Sequence, residues 1–316
     1  MAPPAEPSQR VGNPADRDAA TNNQAAPAHN KTARPAATGL QKRILSAALL
    51  LPVALVTLWI GDRAWAGLIF IFALAMAWEW CAICASRRNP PIAWPSGRLT
   101  LPCFILLVAT AVALLPALVP IEFYWPPLLL ILVVGAGLAI LSAWPKHQVA
   151  ALWFGLGLVY VVLASAAALM IRAQSGDGFA TEIWIVALVV AADTGAYVAG
   201  RSIGGPKLAP RISPSKTWAG LAGAVVSAGV VGWIVSMVLG WQSPLSLIVL
   251  SGGLAIVEQA GDLFESFLKR HFGVKDSGRI IPGHGGVLDR VDGLMAVILT
   301  VAGLEFFMGG GIFAWL

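Results

Sequence analysis

Charged residues are scarce in this chain of 316 residues. Asp, Glu, Lys and Arg make up 12% of it, against about 25% in an average soluble domain. Hydrophobic residues make up 58%, which is more than the roughly 45–50% of soluble domains. This balance excludes an ordinary soluble enzyme and also a disordered chain. Cysteine is rare too, and three residues cannot build a disulfide scaffold. Cys81 and Cys84 have CxxC spacing, but no second ligand pair follows them, so we interpret them as small core residues.

The first 40 or so residues differ from the rest of the chain. They are rich in Ala, Pro, Asn and Thr and contain no apolar run. Such a segment cannot bury enough surface to offset the entropy lost on ordering, so we predict a disordered cytoplasmic tail over residues 1–40. It does not resemble a signal peptide, because the first apolar stretch begins only after Lys42 and Arg43.

Apolar stretches of about 17–25 residues follow this tail, and that length crosses about 30 Å of hydrocarbon as a helix. We therefore predict an all-α, polytopic integral membrane protein with about nine transmembrane helices. Prolines interrupt the third and fourth stretches. The nine predicted spans are 44–60, 64–85, 99–119, 124–144, 149–171, 182–200, 218–240, 244–264 and 294–315.

The basic residues indicate an orientation. If the N-terminus is cytoplasmic, all of the 21 Lys and Arg residues except Arg63 and Arg172 fall in cytoplasmic segments. This asymmetry is the positive-inside pattern of membrane proteins. It accounts for the net charge of +5 by topology, and nucleic-acid binding is not expected.

Polar residues stand close together at the end of the sixth predicted span. Asp193, Tyr197 and Arg201 are four residues apart in ADTGAYVAGR, so they share one helix face. A salt bridge at the helix end is the alternative interpretation. An ionisable group at membrane depth costs on the order of 2.5–3.5 kcal/mol on insertion scales, which favours a functional role.

The segment 201–220 contains four cations, hydroxyl side chains and no carboxylate. We interpret it as a loop, and Ser213 or Ser215 is a candidate cap for the next helix. Cations, hydroxyls and a helix N-terminus together indicate an anion site, and these groups favour phosphate. A loop that is basic only because of topology would supply the cations but would not need the Gly and Ser pattern.

Carboxylates and cations are densest between residues 257 and 293. Glu258, Asp262, Glu265 and Lys269 have the spacing of one helical face, and Asp289 begins a second acidic pair with Asp292. Hard oxygen ligands suit Mg²⁺, which binds through one or two carboxylates together with substrate phosphates, and adjacent Lys and Arg suit phosphate oxygens.

Several common catalytic motifs are missing. No GxxxxGK[ST], HExxH or GxSxG pattern occurs, so a P-loop NTPase, a zinc protease of that class or a serine hydrolase is not supported. Glu79 lies between Trp78 and Trp80 in a predicted span, and an interfacial anchor is one of two open interpretations of it, beside a functional carboxylate.

The segment 266–292 follows a dense pattern of fixed residue types. The pattern reads Ser-x-apolar-Lys-Arg, then Lys-Asp, then His-Gly-Gly-apolar-x-Asp-Arg-apolar-Asp. It resembles the signature of the phosphatidate cytidylyltransferase family. ADTGAYVAGR and the SPSKT segment also look like a second conserved region of that family. The matching residues are Ser266, Leu268, Lys269, Arg270, Lys275, Asp276, His284, Gly285, Gly286, Val287, Asp289, Arg290, Val291 and Asp292. One departure is that the family usually reads Ser-Pro-Lys-Lys-Thr-x-Glu-Gly, where this chain has Ser215 and Ala219.

The resemblance implies that CTP and phosphatidate react to give CDP-diacylglycerol and pyrophosphate in phospholipid biosynthesis. It implies dependence on Mg²⁺, with a second, monovalent cation such as K⁺. It also implies a homodimer that is in contact with membrane lipids. We expect a bacterial inner-membrane protein whose active site faces the cytoplasm. The expected regions are an N-terminal transmembrane region, 41–180, and a C-terminal transmembrane catalytic region, 181–316.

The candidate site residues fall into three groups. The catalytic candidates are Asp262, Asp289, Lys275 and Arg290. The candidates for binding CTP or phosphatidate are Arg201, Ser213, Lys216, Thr217, Lys269, Arg270 and His284. The metal-binding candidates are Asp262 and Asp289, at the positions where the resemblance implies the family's metal-binding aspartates, together with Asp193.

Two other functions compete with this interpretation. A CTP-dependent lipid kinase would phosphorylate an alcohol and release CDP rather than pyrophosphate. A transporter or channel is the default for many spans that contain carboxylates. Transporters tend to place charges near mid-membrane in paired repeats, whereas here the charges cluster at the predicted cytoplasmic ends of the spans.

Overall fold

A computed structural model of the protein describes residues 52–85, 100–114, 125–144, 148–174, 176–240, 244–278, 280–281 and 285–315. The chain divides into two units, Met1–Thr38 and Gly39–Leu316, and every described residue belongs to the second. The predicted tail and His284 lie outside the described residues.

Helices account for most of the described residues. They are α1 (52–60), α2 (Asp62–Ala85), α3 (Thr100–Leu114), α4 (Trp125–Ala143), α5 (Gln148–Ala173), α6 (Gly178–Ser202), α7 (Trp218–Val238), α8 (Leu245–His271), α9 (Leu288–Met308) and α10 (Ile312–Trp315). Two short strands, β1 (Lys207–Ala209) and β2 (Ser213–Thr217), lie between α6 and α7.

Six of the helices are long and apolar enough to cross a membrane, as expected of an integral membrane protein. They are Arg63–Ala85, Gln148–Ala173, Gly178–Ser202, Trp218–Val238, Leu245–His271 and Leu288–Met308. They coincide with the second and the fifth to ninth predicted spans. The predicted total of nine is not confirmed, and the cytoplasmic N-terminus stays a prediction.

The other three predicted spans differ from these six. The third and fourth correspond to shorter apolar helices, Thr100–Leu114 and Leu128–Ala143. Only residues 52–60 of the first are described, and they are helical. The ninth begins six residues earlier than predicted, at Leu288, and ends where Gly309 takes a positive φ of 72°. Glycine adopts this left-handed C-terminal conformation without steric cost.

The helices pack in two groups, which contact each other mainly through α5 and α9. Helices α2 to α5 pack on one another, and α6, α7, α8 and α9 each pack against the next. Two hydrophobic cores result, one centred on α2–α5 and one on α6–α9. Contacts of α9 with both α2 and α5 join the groups, so the N-terminal helices support the segment that carries the signature.

Small residues let α6 and α7 approach closely. A Cβ atom added to Gly195 would lie 2.5 Å from the Gly223 carbonyl oxygen, and one added to Gly223 would lie 2.5 Å from the Gly195 carbonyl oxygen. Packing of this kind is typical of membrane helices, where small residues permit close backbone contact. It fixes the part of α6 that carries Asp193.

The segment 201–217, interpreted as a loop, is a β-hairpin for most of its length. Strands β1 and β2 are antiparallel, with Lys207 opposite Thr217 and Ala209 opposite Ser213. The fold is mostly helical, as predicted, and this two-stranded sheet is a small addition to the helices. Backbone pairing satisfies polar groups that would otherwise need water at the end of the helices.

Candidate active site

A polar cavity of about 290 Å³ lies where α6, the hairpin, the start of α7 and α8 meet. It is lined by Asp193, Ala196, Tyr197, Gly200, Arg201, Ser215, Lys216, Thr217, Gly220, Leu221, Gln259 and Asp262. Five predicted site residues are among them, namely Asp193, Arg201, Lys216, Thr217 and Asp262. The structure thus brings residues from two separate motifs to one place.

Helix α6 supplies one wall of the polar cavity through a single face. Asp193, Tyr197 and Arg201 all line it, as their four-residue spacing predicted. A nitrogen of the Arg201 guanidinium donates to the Tyr197 hydroxyl at 3.3 Å, and the guanidinium carbon is 6.0 Å from the ring centre. Tyr197 lines the cavity although it is not among the predicted site residues.

The hairpin ends at the residue that caps α7. The Thr217 side chain accepts a hydrogen bond from the Gly220 backbone N–H at 3.0 Å. The prediction that Ser213 or Ser215 caps this helix is wrong, because both lie within β2 and Thr217 directly precedes the first turn. The Ser213 and Ser215 hydroxyls are 3.5 Å apart, and Ser215 lines the cavity whereas Ser213 does not.

Lys216 links the hairpin to α8 across the polar cavity. Its Nζ lies 2.7 Å from Asp262 Oδ2 and donates to Gln259 Oε1 at 2.8 Å. The Lys216 side chain is only 13% exposed. The Ser266 hydroxyl donates to the other carboxylate oxygen of Asp262 at 3.2 Å. A cation and a carboxylate 46 positions apart in sequence are therefore paired directly.

A second ion-pair group lies between α8 and α9. Lys269 Nζ is 2.9 Å from Glu265 Oε2 and 2.7 Å from Asp289 Oδ1. The Asp289 carboxylate also accepts from the backbone N–H groups of Ser277, at 3.0 Å, and of Gly286, at 2.9 Å. Asp289 thus holds the segment before α9 in place, in addition to any role toward substrate.

The carboxyl groups form a row that connects the two ion-pair groups. Asp193 contacts Glu258 at one end of the row. Asp292 interacts with both Asp262 and Glu265, and Glu265 with Asp289. The row begins at the polar cavity, which Asp262 lines, and ends at Asp289, which is outside the cavity lining. Side chains from α6, α8 and α9 thus converge although α6 is far from α8 in sequence.

The donor set of the polar cavity fits a Mg²⁺ ion that is shared with substrate phosphates. Among the described residues, no three His, Cys, Asp or Glu side chains are grouped so as to hold a metal ion by themselves. Mg²⁺ does not require such a cage, since it commonly binds one or two carboxylates, waters and substrate phosphates. Asp193 from α6 and Asp262 from α8 line the cavity with hard carboxylate oxygens, and Gln259 adds an amide oxygen.

Glu79 is a residue that the sequence interpretation missed. It is 1% exposed, so its interpretation as an interfacial anchor is wrong. Its carboxylate accepts from the backbone N–H groups of Val287, at 2.9 Å, and Leu288, at 2.8 Å, and from the Ser277 hydroxyl, at 3.1 Å. It therefore caps the N-terminus of α9 from another helix, where a negative charge is favourable.

The remaining predicted residues lie around this centre. Arg270 donates to the backbone oxygens of Ile212, at 3.5 Å, and Val274, at 3.4 Å, and so connects α8 to the hairpin turn. Lys275 is exposed in the segment between α8 and α9. Arg290 lines a different cavity but interacts electrostatically with Asp193.

Comparison with known proteins agrees with the motif. The model of the cytidylyltransferase family matches residues 41–307. A phosphatidate cytidylyltransferase of Brucella suis biovar 1 is 36% identical over 284 residues, which is 88% of this chain and 95% of the relative. One of Haemophilus influenzae is 33% identical over 294 residues, covering 85% of this chain and 99% of the relative. The resemblance predicted from the signature is confirmed, and the chain belongs to the cytidylyltransferase family.

Proposed function

We propose that the protein transfers the cytidylyl group of CTP to phosphatidate, giving CDP-diacylglycerol and pyrophosphate. The observation that carries the proposal is the polar cavity, where the Lys216–Asp262 pair meets Asp193 and Arg201 at the ends of apolar helices. The names of the relatives support the same reaction. A site of this kind admits an anionic, water-soluble nucleotide while the acyl chains of the lipid stay in the bilayer.

The chemistry needs no activated side-chain nucleophile. An oxygen of the phosphatidate phosphate attacks the α-phosphorus of CTP, and the bond from that phosphorus to the oxygen bridging to the β-phosphate breaks. The protein contributes positioning and neutralisation of charge. Lys216 and Arg201, which line the polar cavity, bind the triphosphate, and Lys269 and Arg290 add positive charge near the lipid phosphate. Lys275 and Arg270 stand at the margin of the site.

We assign Mg²⁺ to Asp193 and Asp262 in the cavity wall, with Asp289 as a further metal-binding candidate at the far end of the carboxyl row. When bound, the ion neutralises phosphate charge and orients the reacting groups. A second, monovalent cation such as K⁺ and a homodimer are further parts of the proposal. The proposal also places the protein in the bacterial inner membrane, with an active site that opens to the cytoplasm, where CTP is available.

An assay with labelled CTP tests the reaction. Purified protein in detergent with phosphatidate, Mg²⁺ and CTP labelled in the α-phosphate should yield labelled lipid and an equal amount of pyrophosphate. Release of labelled CDP without labelled lipid, and entry of label into the lipid when the γ-phosphate of CTP is labelled instead, would identify a lipid kinase. Solute flux into liposomes without CTP, with no labelled lipid, would favour a transporter.

Lys216→Ala is expected to raise the KM for CTP by about tenfold or more, because one charge-assisted hydrogen bond contributes about 1.5–3 kcal/mol. The KM for phosphatidate should change little. Lys207→Ala removes an exposed cation from the same hairpin, outside the polar cavity, and serves as the control. Equal CTP kinetics in the Lys216 variant, the control and the unchanged protein would contradict the assignment.

A further inference from the structure

A second cavity, which we call the apolar cavity, lies between α2, α5, α6 and α9 and has a volume of about 520 Å³. This volume falls within the range of about 300–1,000 Å³ found for small-molecule sites. Its lining is almost entirely hydrophobic and includes Phe72, Met76, Ala168, Val190 and Leu294. Val190 on α6 is 56% exposed, so the cavity opens to the outer surface of the helices at this point of α6.

The apolar cavity adjoins the polar cavity along α6. Val186 and Val190 line the apolar cavity, and Asp193 and Tyr197 line the polar one. These four positions follow one another at intervals of three or four residues, so they lie along one face of the helix. A molecule that extends along this face has an apolar end in one cavity and a polar end in the other.

Arg290 lines the apolar cavity, and its charge acts on the polar cavity. It is the one charged residue in the described lining of the apolar cavity, and its guanidinium interacts with the Asp193 carboxylate of the polar cavity. Arginine is well suited to phosphate because its planar fork matches the phosphate oxygens. A ligand of the apolar cavity is therefore expected to carry an anionic phosphate at its polar end.

Ser165 provides a polar group deeper in the apolar cavity. It is 3% exposed, and its hydroxyl has no hydrogen-bond partner among the described residues. A buried hydroxyl without a partner is unfavourable. On α5 it stands five residues, or about 7.5 Å along the axis, beyond Tyr160, which interacts with Asp292 and Glu265 of the carboxyl row. A ligand with a hydrogen-bond acceptor a few bonds away from its phosphate would provide the partner that this hydroxyl lacks.

We infer that the apolar cavity binds the acylglycerol part of phosphatidate, with the lipid phosphate beside Arg290 and an ester carbonyl accepting a hydrogen bond from Ser165. This inference rests on the proposed function and deepens it. Ser165 is then a residue that recognises ester-linked lipid, and Ala168, one turn further along α5, limits the acyl chain.

The first test compares ester-linked phosphatidate with its ether-linked analogue, which lacks the carbonyl acceptors. The unchanged protein should have a KM for the ester about fivefold lower than for the ether. Ser165→Ala should raise the KM for the ester by the same factor and leave the KM for the ether and for CTP unchanged. The control is Ser142→Ala on α4, whose hydroxyl donates to the Ala139 carbonyl.

The second test measures chain length. Ala168→Leu narrows the apolar cavity and should lower kcat/KM for long-chain phosphatidate at least about fivefold more than for a short-chain form. Ala173→Leu, at an exposed position of the same helix, should not. If the unchanged protein makes CDP-diacylglycerol but Ser165→Ala keeps its ester preference and Ala168→Leu its chain-length preference, the inference is overturned while the function stands. If no CDP-diacylglycerol is made, the proposed function fails.

Discussion

Asp262→Asn is expected to lower kcat for cytidylyl transfer by about a thousandfold. Asparagine keeps the size of the side chain but removes the negative charge that faces Lys216 at 2.7 Å and lines the polar cavity. If Asp262 binds Mg²⁺, the loss of roughly 4 kcal/mol of transition-state stabilisation corresponds to about three powers of ten.

The measurement is the rate of labelled lipid formation by purified, folded protein at saturating CTP and phosphatidate. Asp177→Asn is the matched control, because Asp177 lies at the opposite end of α6 and its side chain makes no capping hydrogen bond. An Asp262 variant with activity close to that of the control would remove Asp262 from the chemistry.

Glu79→Gln is expected to lower kcat by about a hundredfold while the KM for CTP changes less than about twofold. None of the hydrogen-bond partners of Glu79 lines the polar cavity. Its carboxylate instead holds the N-terminus of α9 through the backbone of Val287 and Leu288. The Gln side chain has a single accepting oxygen, and its NH₂ group cannot accept the hydrogen bond that the other carboxylate oxygen receives. Each bond to a charged group contributes about 1.5–3 kcal/mol. Asp289, in the first turn of α9, would then be misplaced relative to Lys269.

A split between kcat and KM separates this positioning role from a general role in folding. Ser277→Ala removes only the third hydrogen bond to Glu79 and should reduce kcat less than about fivefold. Full activity of folded Glu79→Gln protein would show that α9 needs no such cap. Parallel loss of CTP binding and of folded protein would show that Glu79 supports the whole bundle rather than the site.

The sequence predicted those parts of the fold and site that depend on local periodicity. Apolar length located the six described helices that are long and apolar enough to cross a membrane, and helical spacing placed Asp193, Tyr197 and Arg201 on one face. It also predicted that Asp262, Glu265 and Lys269 share a helix, which is α8. These features follow from the helix repeat alone, without knowledge of which helices are neighbours.

Features that depend on distant contacts were not predictable in this way. The hairpin was missed because Pro and Ser in β2 have little preference for strands and the strands are only three and five residues long. Glu79 was misread because its partners lie about 200 positions further along the chain. Lys216 pairs with Asp262 because the chain reverses after α7 and α8 then packs beside the hairpin. The spacing of residues in the sequence does not reveal such a reversal.

Rescue by a thiophilic metal tests the central claim, that the Asp262 carboxylate binds the divalent cation for cytidylyl transfer. Asp262→Cys replaces a hard oxygen ligand by a thiolate, which favours softer metals. The account predicts that Asp262→Cys is inactive with Mg²⁺ and regains at least about tenfold activity with Cd²⁺, whereas Asp262→Ala shows no gain. An equal response of the Cys and Ala variants to Cd²⁺ would contradict the claim.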